Sequence, residues 1–218
     1  LPYYFNSYCH VIPDKYITLA FFPAAAVLDW YVNLLFSKNG SGEGIYDEAL
    51  GVFEDDPGNP TGILITPHLF GACNPHWDSG ARGAVYGLSA KTQRHHIVKA
   101  VLEGIACELS LNLELLGKCF PLAREIRIFG GNARRDFSVQ LRADITGYSM
   151  KRLTAGETVC RGAAIIAGTG AGIFKSMEEG AERMAGKSET FEVCRACHEA
   201  YRGQRQAYAA LYPAVRNL

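Results

Sequence analysis

The 218 residues carry 22 basic and 22 acidic side chains, so no net field steers the chain toward nucleic acid or an anionic membrane. At 48% hydrophobic, the chain is an ordinary globular protein able to bury a sizeable core, as one large domain or a domain plus a small subdomain. Seven scattered cysteines, an odd number without a tight framework, fit a reducing cytoplasm better than a disulfide scaffold.

Leu1-Pro2-Tyr3-Tyr4 has neither an initiator Met nor a charged n-region, so the start resembles neither a signal peptide nor a natural N-terminus, and a fragment is expected. Tyr3 to Ile12 and Lys15 to Phe22 are rich in aromatic and β-branched residues around Pro13-Asp14, which predicts a hairpin. Pro23 then opens a helix through about Phe36, with Ala26, Leu28, Trp30, Tyr31 and Leu34 as its apolar face. The longest apolar stretch, Ile17 to Val32, is broken by Pro23 and Asp29 and falls short of the roughly 20 residues that span a bilayer. Lys38 to Pro60 holds Gly40-Ser41-Gly42-Glu43-Gly44 and Asp55-Asp56-Pro57-Gly58-Asn59-Pro60, and reads as a loop-rich insert with short helical stretches. Asp55-Asp56 imitates a catalytic carboxylate pair, but the Pro-Gly-Asn-Pro after it marks a solvated turn.

Ile63-Leu64-Ile65 predicts a strand, and Phe70 to Gly83 a long irregular loop of the kind that function orders. From about Gln93 to Leu116, Ile97, Val101, Ile105, Leu109 and Leu113 recur every four residues beside Val98, Leu102 and Ala106, the pattern of a central packing helix. Glu103 falls inside this stripe, where an unpaired carboxylate would be costly, so it is expected to be hydrogen-bonded and structural. His95 and His96, at the helix N-terminus, read as packing or surface residues.

The apolar run Ile126 to Phe129 meets Gly130-Gly131-Asn132-Ala133 and then a helix-like segment from Arg134 to Thr146. A strand that stops at paired glycines and re-enters as a helix brings bare amides and a helix N-terminus to one spot, which favours an anion or a nucleotide. A strand near Ser149 to Leu153, a small-residue helix Val159 to Gly168, a short strand Phe191 to Val193 and a terminal helix carrying Tyr201, Tyr208, Leu211 and Tyr212 complete an α/β pattern. Gly168-Thr169-Gly170-Ala171-Gly172 follows a helix, and so reads as a helix terminus and not a phosphate loop. Cys194-Arg195-Ala196-Cys197-His198 spells the c-type haem attachment motif and holds a zinc-like Cys pair, but neither an export signal nor a second ligand pair accompanies it; helical spacing aligns Cys194, Cys197, His198 and Tyr201 for packing.

Gly83 to Leu88, seven further residues, His96-Ile97, two residues, and Ala100-Val101-Leu102-Glu103 form a long spaced pattern that resembles the C-terminal signature of the FGGY carbohydrate kinases. Asn74 to Gly83 resembles the family's Pro-x-Trp-Asp…Ala-Arg-Gly loop, Gly130 to Asp144 its Gly-Gly-Gly-Ala-Arg-Ser…Gln…Ala-Asp segment, and Gly162-Ala163-Ala164 its Gly-Ala-Ala helix; the likeness runs from about residue 8 to 212. It implies the C-terminal, nucleotide-side domain of a two-domain sugar kinase with an α/β, actin-like ATPase (ribonuclease H-like) fold. ATP is the implied co-substrate and Mg2+ the implied ion; no haem or zinc is expected. Candidate adenosine contacts are Gly130, Gly131, Asn132 and Arg135, with Asn132 standing where the family has a third glycine or alanine. Gln140 and Asp144 are expected to tie their helix to neighbouring loops.

The catalytic aspartate and most sugar contacts belong to the family's N-terminal domain, so this chain is expected to lack turnover alone. The partners implied are that N-terminal domain, ATP or ADP and a small-molecule sugar, ketopentoses such as xylulose first, with no nucleic acid and no membrane; a homodimer is left open. The alternative is a noncatalytic interaction or regulatory domain that kept the fold and lost tight ATP binding.

Overall fold

The computed structural model describes residues 5–37, 44–53, 58–153 and 158–218, and Asn132 by its backbone alone. Gly40 to Glu43 of the insert and the Asp55-Asp56 pair therefore lie outside the described residues.

The expected hairpin forms as β1 (Asn6–Cys9) and β2 (Tyr16–Leu19), antiparallel with Asn6 opposite Leu19 and Cys9 opposite Tyr16. Asp14 makes the turn in the left-handed region at φ 61°, which short polar side chains tolerate. Pro23 caps α1 (Ala24–Phe36), whose buried stripe is Val27, Leu28, Tyr31, Val32 and Phe36. Trp30 and Leu34, expected on that face, are 46% and 60% exposed. The helical repeat explains the difference: positions 27, 28, 31 and 32 share one stripe, and 30 and 34 fall beside it. The insert contributes α2 (Ile45–Leu50) and a single 3-10 turn, Gly51–Phe53.

Two residues, Leu64–Ile65, make β3, paired antiparallel with β4 (Val85–Tyr86), and the loop between them carries a cis Asn74–Pro75 bond. The central helix α3 (Arg94–Gly117) starts on a capping box: Gln93 accepts from the His96 backbone, and His96 Nδ1 accepts from the Gln93 amide at 3.1 Å. Its middle is enclosed on all sides, with Val98, Val101, Leu102 and Ile105 in the core and Glu103 and Glu108 buried among them. His95 packs its ring against Phe36, centroids 4.9 Å apart. His95 thus takes a packing role, as expected, while the half-buried His96 serves the helix cap.

The remaining elements are β5 (Glu125–Ile128), α4 (Asp136–Thr146), β6 (Ser149–Leu153), α5 (Thr158–Gly170), α6 (Met177–Arg183), β7 (Ser188–Phe191), α7 (Arg195–Ala200) and α8 (Arg202–Val215). β5 runs parallel to β6, and β7 pairs antiparallel to it, Met150 opposite Phe191, so the predicted last strand begins three residues early. Along β5, Ile126 and Ile128 turn inward and Glu125 and Arg127 outward, the period of two. α4 serves two layers: Val139 and Ala143 meet Met150 of the sheet, while Phe137, Leu141 and Ile145, one helical stripe away, join α1, β3, α3 and α8 in the main core. Gly172, at φ 74°, ends the α5 region as a helix terminus, with the Ile173 amide returning to Gly168 O at 2.8 Å. Among the described residues no helix is long and apolar enough to cross a membrane.

Candidate functional site

The strand-to-helix junction after β5 is built on Gly130, at φ 89° and ψ −171°, a conformation that only glycine adopts readily. The chain then winds through a 3-10 turn, Gly131–Ala133, closed by Ala133 N to Gly130 O at 3.1 Å and Arg134 N to Gly131 O at 3.2 Å. Arg135 is the extended N-cap residue and α4 begins at Asp136, two residues later than predicted, because the glycine turn uses those residues for its own i to i+3 bonds.

This turn borders a cleft of about 990 Å³ between α1, α2 and the start of α4. Leu28, Leu50, Phe129 and Phe137 supply apolar wall, and Asp29, Tyr46, Arg134, Arg135 and Ser138 supply polar groups. Of the predicted contacts, Gly131 and Arg135 line the cleft. Gly130 sets the turn one residue earlier, and the Asn132 side chain lies outside the described atoms. A Cβ built on Gly131 meets nothing within 4 Å, so the space beside that amide is open.

Arg135 spans the cleft to an ion pair with Asp47 of α2, and the Tyr46 hydroxyl donates to Asp29 of α1. Burial, then the Asp29 carboxylate, push the Tyr46 phenol well above the usual tyrosine range, so it stays a donor. Beneath the turn, Arg152 of β6 donates to Asp136 Oδ1 at 2.7 Å and to the carbonyls of Ala133 and Arg134 at 3.3 and 3.4 Å, and pairs with Glu189 of β7. Arg152 therefore props the glycine turn on the sheet. Sequence reasoning did not single out Arg152; the only cue to it is an arginine in the strand that follows the glycine turn and its helix.

The other candidates are structural. Asp144 Oδ1 accepts from the Cys194 amide at 2.8 Å and from Gln140 Nε2 at 2.9 Å, while Gln140 also donates to Glu192 O at 2.8 Å. Both tie α4 to the segment entering α7, as expected. Glu103 accepts from Thr61 Oγ1 at 2.5 Å, Gln204 Nε2 at 2.7 Å and Tyr201 OH at 3.0 Å. Burial nevertheless holds its carboxyl above the ordinary range, with these donors and Lys99 opposing. In the Cys-x-x-Cys-His segment Tyr201 is fully buried and His198 Nδ1 lies 2.7 Å from Asp144 O, but Cys194 is exposed, so the packing account holds for only part of the motif. Cys194 is the exposed N-cap residue of α7 and meets α4 through its amide.

Over residues 19–171 the chain matches the FGGY family of carbohydrate kinases, C-terminal domain, and it belongs to that family. It is 30% identical over 210 residues to the xylulose kinase of Staphylococcus epidermidis, covering 96% of this chain and 41% of that protein. The crystal structure of xylulose kinase from Rhodospirillum rubrum superposes with a TM-score of 0.83 at 20% identity, covering 98% of this chain and 43% of that one. Plasmodium falciparum glycerol kinase with ADP superposes at 0.74 and 24% identity, covering 92% and 38%. The fold is thus the mixed α/β, actin-like ATPase fold of these kinases, and the chain spans about two fifths of the length of the relatives it matches.

Proposed function

We propose that the chain is the nucleotide-side domain of an ATP-dependent carbohydrate kinase, and that adenosine lies in the α1/α2/α4 cleft against Gly130, Gly131 and Asn132, with Arg135 at its wall. The observation that carries this reading is the glycine turn at the carboxyl end of β5, bordering a cleft of about 990 Å³ lined by apolar side chains and by Arg134 and Arg135. Ligands of open α/β sheets gather at such strand ends, and a planar base suits a wall of Phe129 and Phe137. One structural relative is a glycerol kinase whose structure was determined with ADP, which fits the same assignment.

Transfer of the γ-phosphoryl group to a hydroxyl needs a group that positions the hydroxyl and a phosphate clamp, aligned in one closed site. Among the described residues of the cleft no such set is assembled. The partner supplying it is the N-terminal sugar-binding domain of the whole kinase, in keeping with the share of its relatives that this chain covers. Mg2+ is suited to oxygen ligands, yet Asp29 is held by Tyr46, Asp47 by Arg135 and Asp136 by Arg152, so these carboxylates do not fit it and the ion belongs with the phosphates. Xylulose is the first substrate to test and glycerol the second, after the relatives. Seven free cysteines suit a cytoplasmic setting.

The test is an NMR titration of the isotopically labelled chain with ADP, run beside Gly131→Val. Because the space next to Gly131 is open, the valine can enter the cleft without disturbing the fold. Amide shifts confined to residues 129–138 and lost in Gly131→Val are expected. Shifts elsewhere, or an unchanged titration in a folded Gly131→Val, would remove the site and leave the noncatalytic reading.

A further inference from the structure

On the side of α3 where α8 packs, three metal-ligand side chains converge that no spacing in the sequence announces. His68 and His76 come from the loop between β3 and β4, and Glu108 from α3; their ligand atoms all lie within 4.8 Å of one another. His68 is buried at 3% exposure, and among the described residues neither of its ring nitrogens has a hydrogen-bond partner. Two buried ring nitrogens without partners are expensive, and such a group calls for an occupant. Glu108 is oriented for one: Tyr208 OH donates to Oε2 at 2.5 Å, leaving Oε1 turned toward His68 Nε2 at 3.8 Å, too far for a hydrogen bond. Tyr212 holds the second imidazole, its ring 4.0 Å from that of His76, and is itself fixed by donating to Asp78 Oδ2 at 2.5 Å.

From this geometry we propose a binding site for one divalent transition metal of the zinc class, held by His68, His76 and Glu108. Two imidazoles and a carboxylate make a borderline N/O donor set, which favours zinc, cobalt or nickel over Mg2+ or Ca2+. Bonds of about 2.0–2.2 Å in a tetrahedral site place ligand atoms roughly 3.3 Å apart, so the cluster closes by a modest inward rotation of side chains. His76 is only half-buried and leaves the fourth position accessible to water. The ion would brace the 66–83 loop against α3 and α8, and it shares no residue with the cleft, so the two proposals stand or fall separately.

The experiment uses the whole chain, stripped with EDTA, re-exposed to Zn2+ or Co2+, desalted and assayed for metal by plasma emission. One equivalent retained is expected, together with the visible bands of four-coordinate Co2+ and a melting temperature that rises with free Zn2+. His76→Ala, the half-buried and therefore best tolerated change, should weaken binding at least 100-fold. Tyr208→Phe, which frees Glu108 to wander, should weaken it about 10–100-fold. Cys194→Ser removes the competing thiol pair and should retain the full equivalent. Failure of the folded chain to hold metal at tens of micromolar Zn2+ would overturn the proposal, as would equal retention by His76→Ala or loss through Cys194→Ser.

Discussion

At Gly104 the smallest side chain decides how closely two elements approach. A Cβ there would run into the Ile65 carbonyl oxygen of β3, and Tyr208 closes the other side at 3.7 Å. Gly104→Ala gains about 1 kcal/mol of helix propensity, yet must push α3 off β3, and overpacking of this kind costs about 1–3 kcal/mol or more. Urea unfolding should show net destabilisation; a neutral or stabilised variant would mean that α3 can move. One position earlier, Glu103 gives the chain a pH dependence. Its carboxyl titrates above the ordinary glutamate range when folded, so the folded state holds a proton that the unfolded state releases first. Its contribution is fully present below the unfolded value and is lost as pH rises from there through the folded one. Denaturation at stepped pH should show wild type falling relative to Glu103→Gln across that window, and parallel profiles would contradict the assignment. The structural role of Glu103 was legible, because one carboxylate in an apolar stripe must find donors. His68, His76 and Glu108 were not, because their meeting depends on how a long loop folds back on α3, which no local period encodes.

Among elements, the strand-to-helix junction was readable and its detail was not. Paired glycines announced the turn, but only the φ of 89° at Gly130 fixes a 3-10 turn before α4. β4 and α6 went unread because a two-residue pairing and a seven-residue helix carry too little period to register. The α4 to α7 junction is where a single substitution should separate two elements. Asp144 is buried there, with burial raising its carboxyl and the Cys194 amide and Gln140 opposing. Asp144→Ala strands the Cys194 amide, a cost of about 1–3 kcal/mol for a donor left unmade, and leaves Gln140 with its bond to Glu192 O. Hydrogen exchange should quicken in 194–200 before it quickens in α3. Uniform loss of protection would place the junction inside the global unfolding unit instead.

For the whole molecule, the decisive quantity is how much nucleotide affinity one side of a cleft can hold. If ATP binds in the proposed cleft, the surfaces available to it are the apolar wall, the amides of the glycine turn and Arg134 and Arg135, the last paired with Asp47. Tyr8, Tyr16 and Phe21 of the hairpin are each more than half exposed, apolar surface of the kind that a neighbouring domain covers. On the proposed reading a second domain supplies the phosphate contacts, so the favourable terms left to this chain are base stacking and a helix-dipole interaction of about 0.3–1 kcal/mol, set against an association cost of at least several kcal/mol. The isolated chain should therefore bind ATP with a Kd of roughly 1 mM or weaker, about −4 kcal/mol. It should also transfer no phosphate to xylulose or glycerol, since the described residues of the cleft assemble no positioning group for the hydroxyl. Calorimetry and a coupled ADP assay on contaminant-free protein check both. A low-micromolar Kd would mean that these residues already close a complete nucleotide site, and turnover above background would place the catalytic groups within this chain.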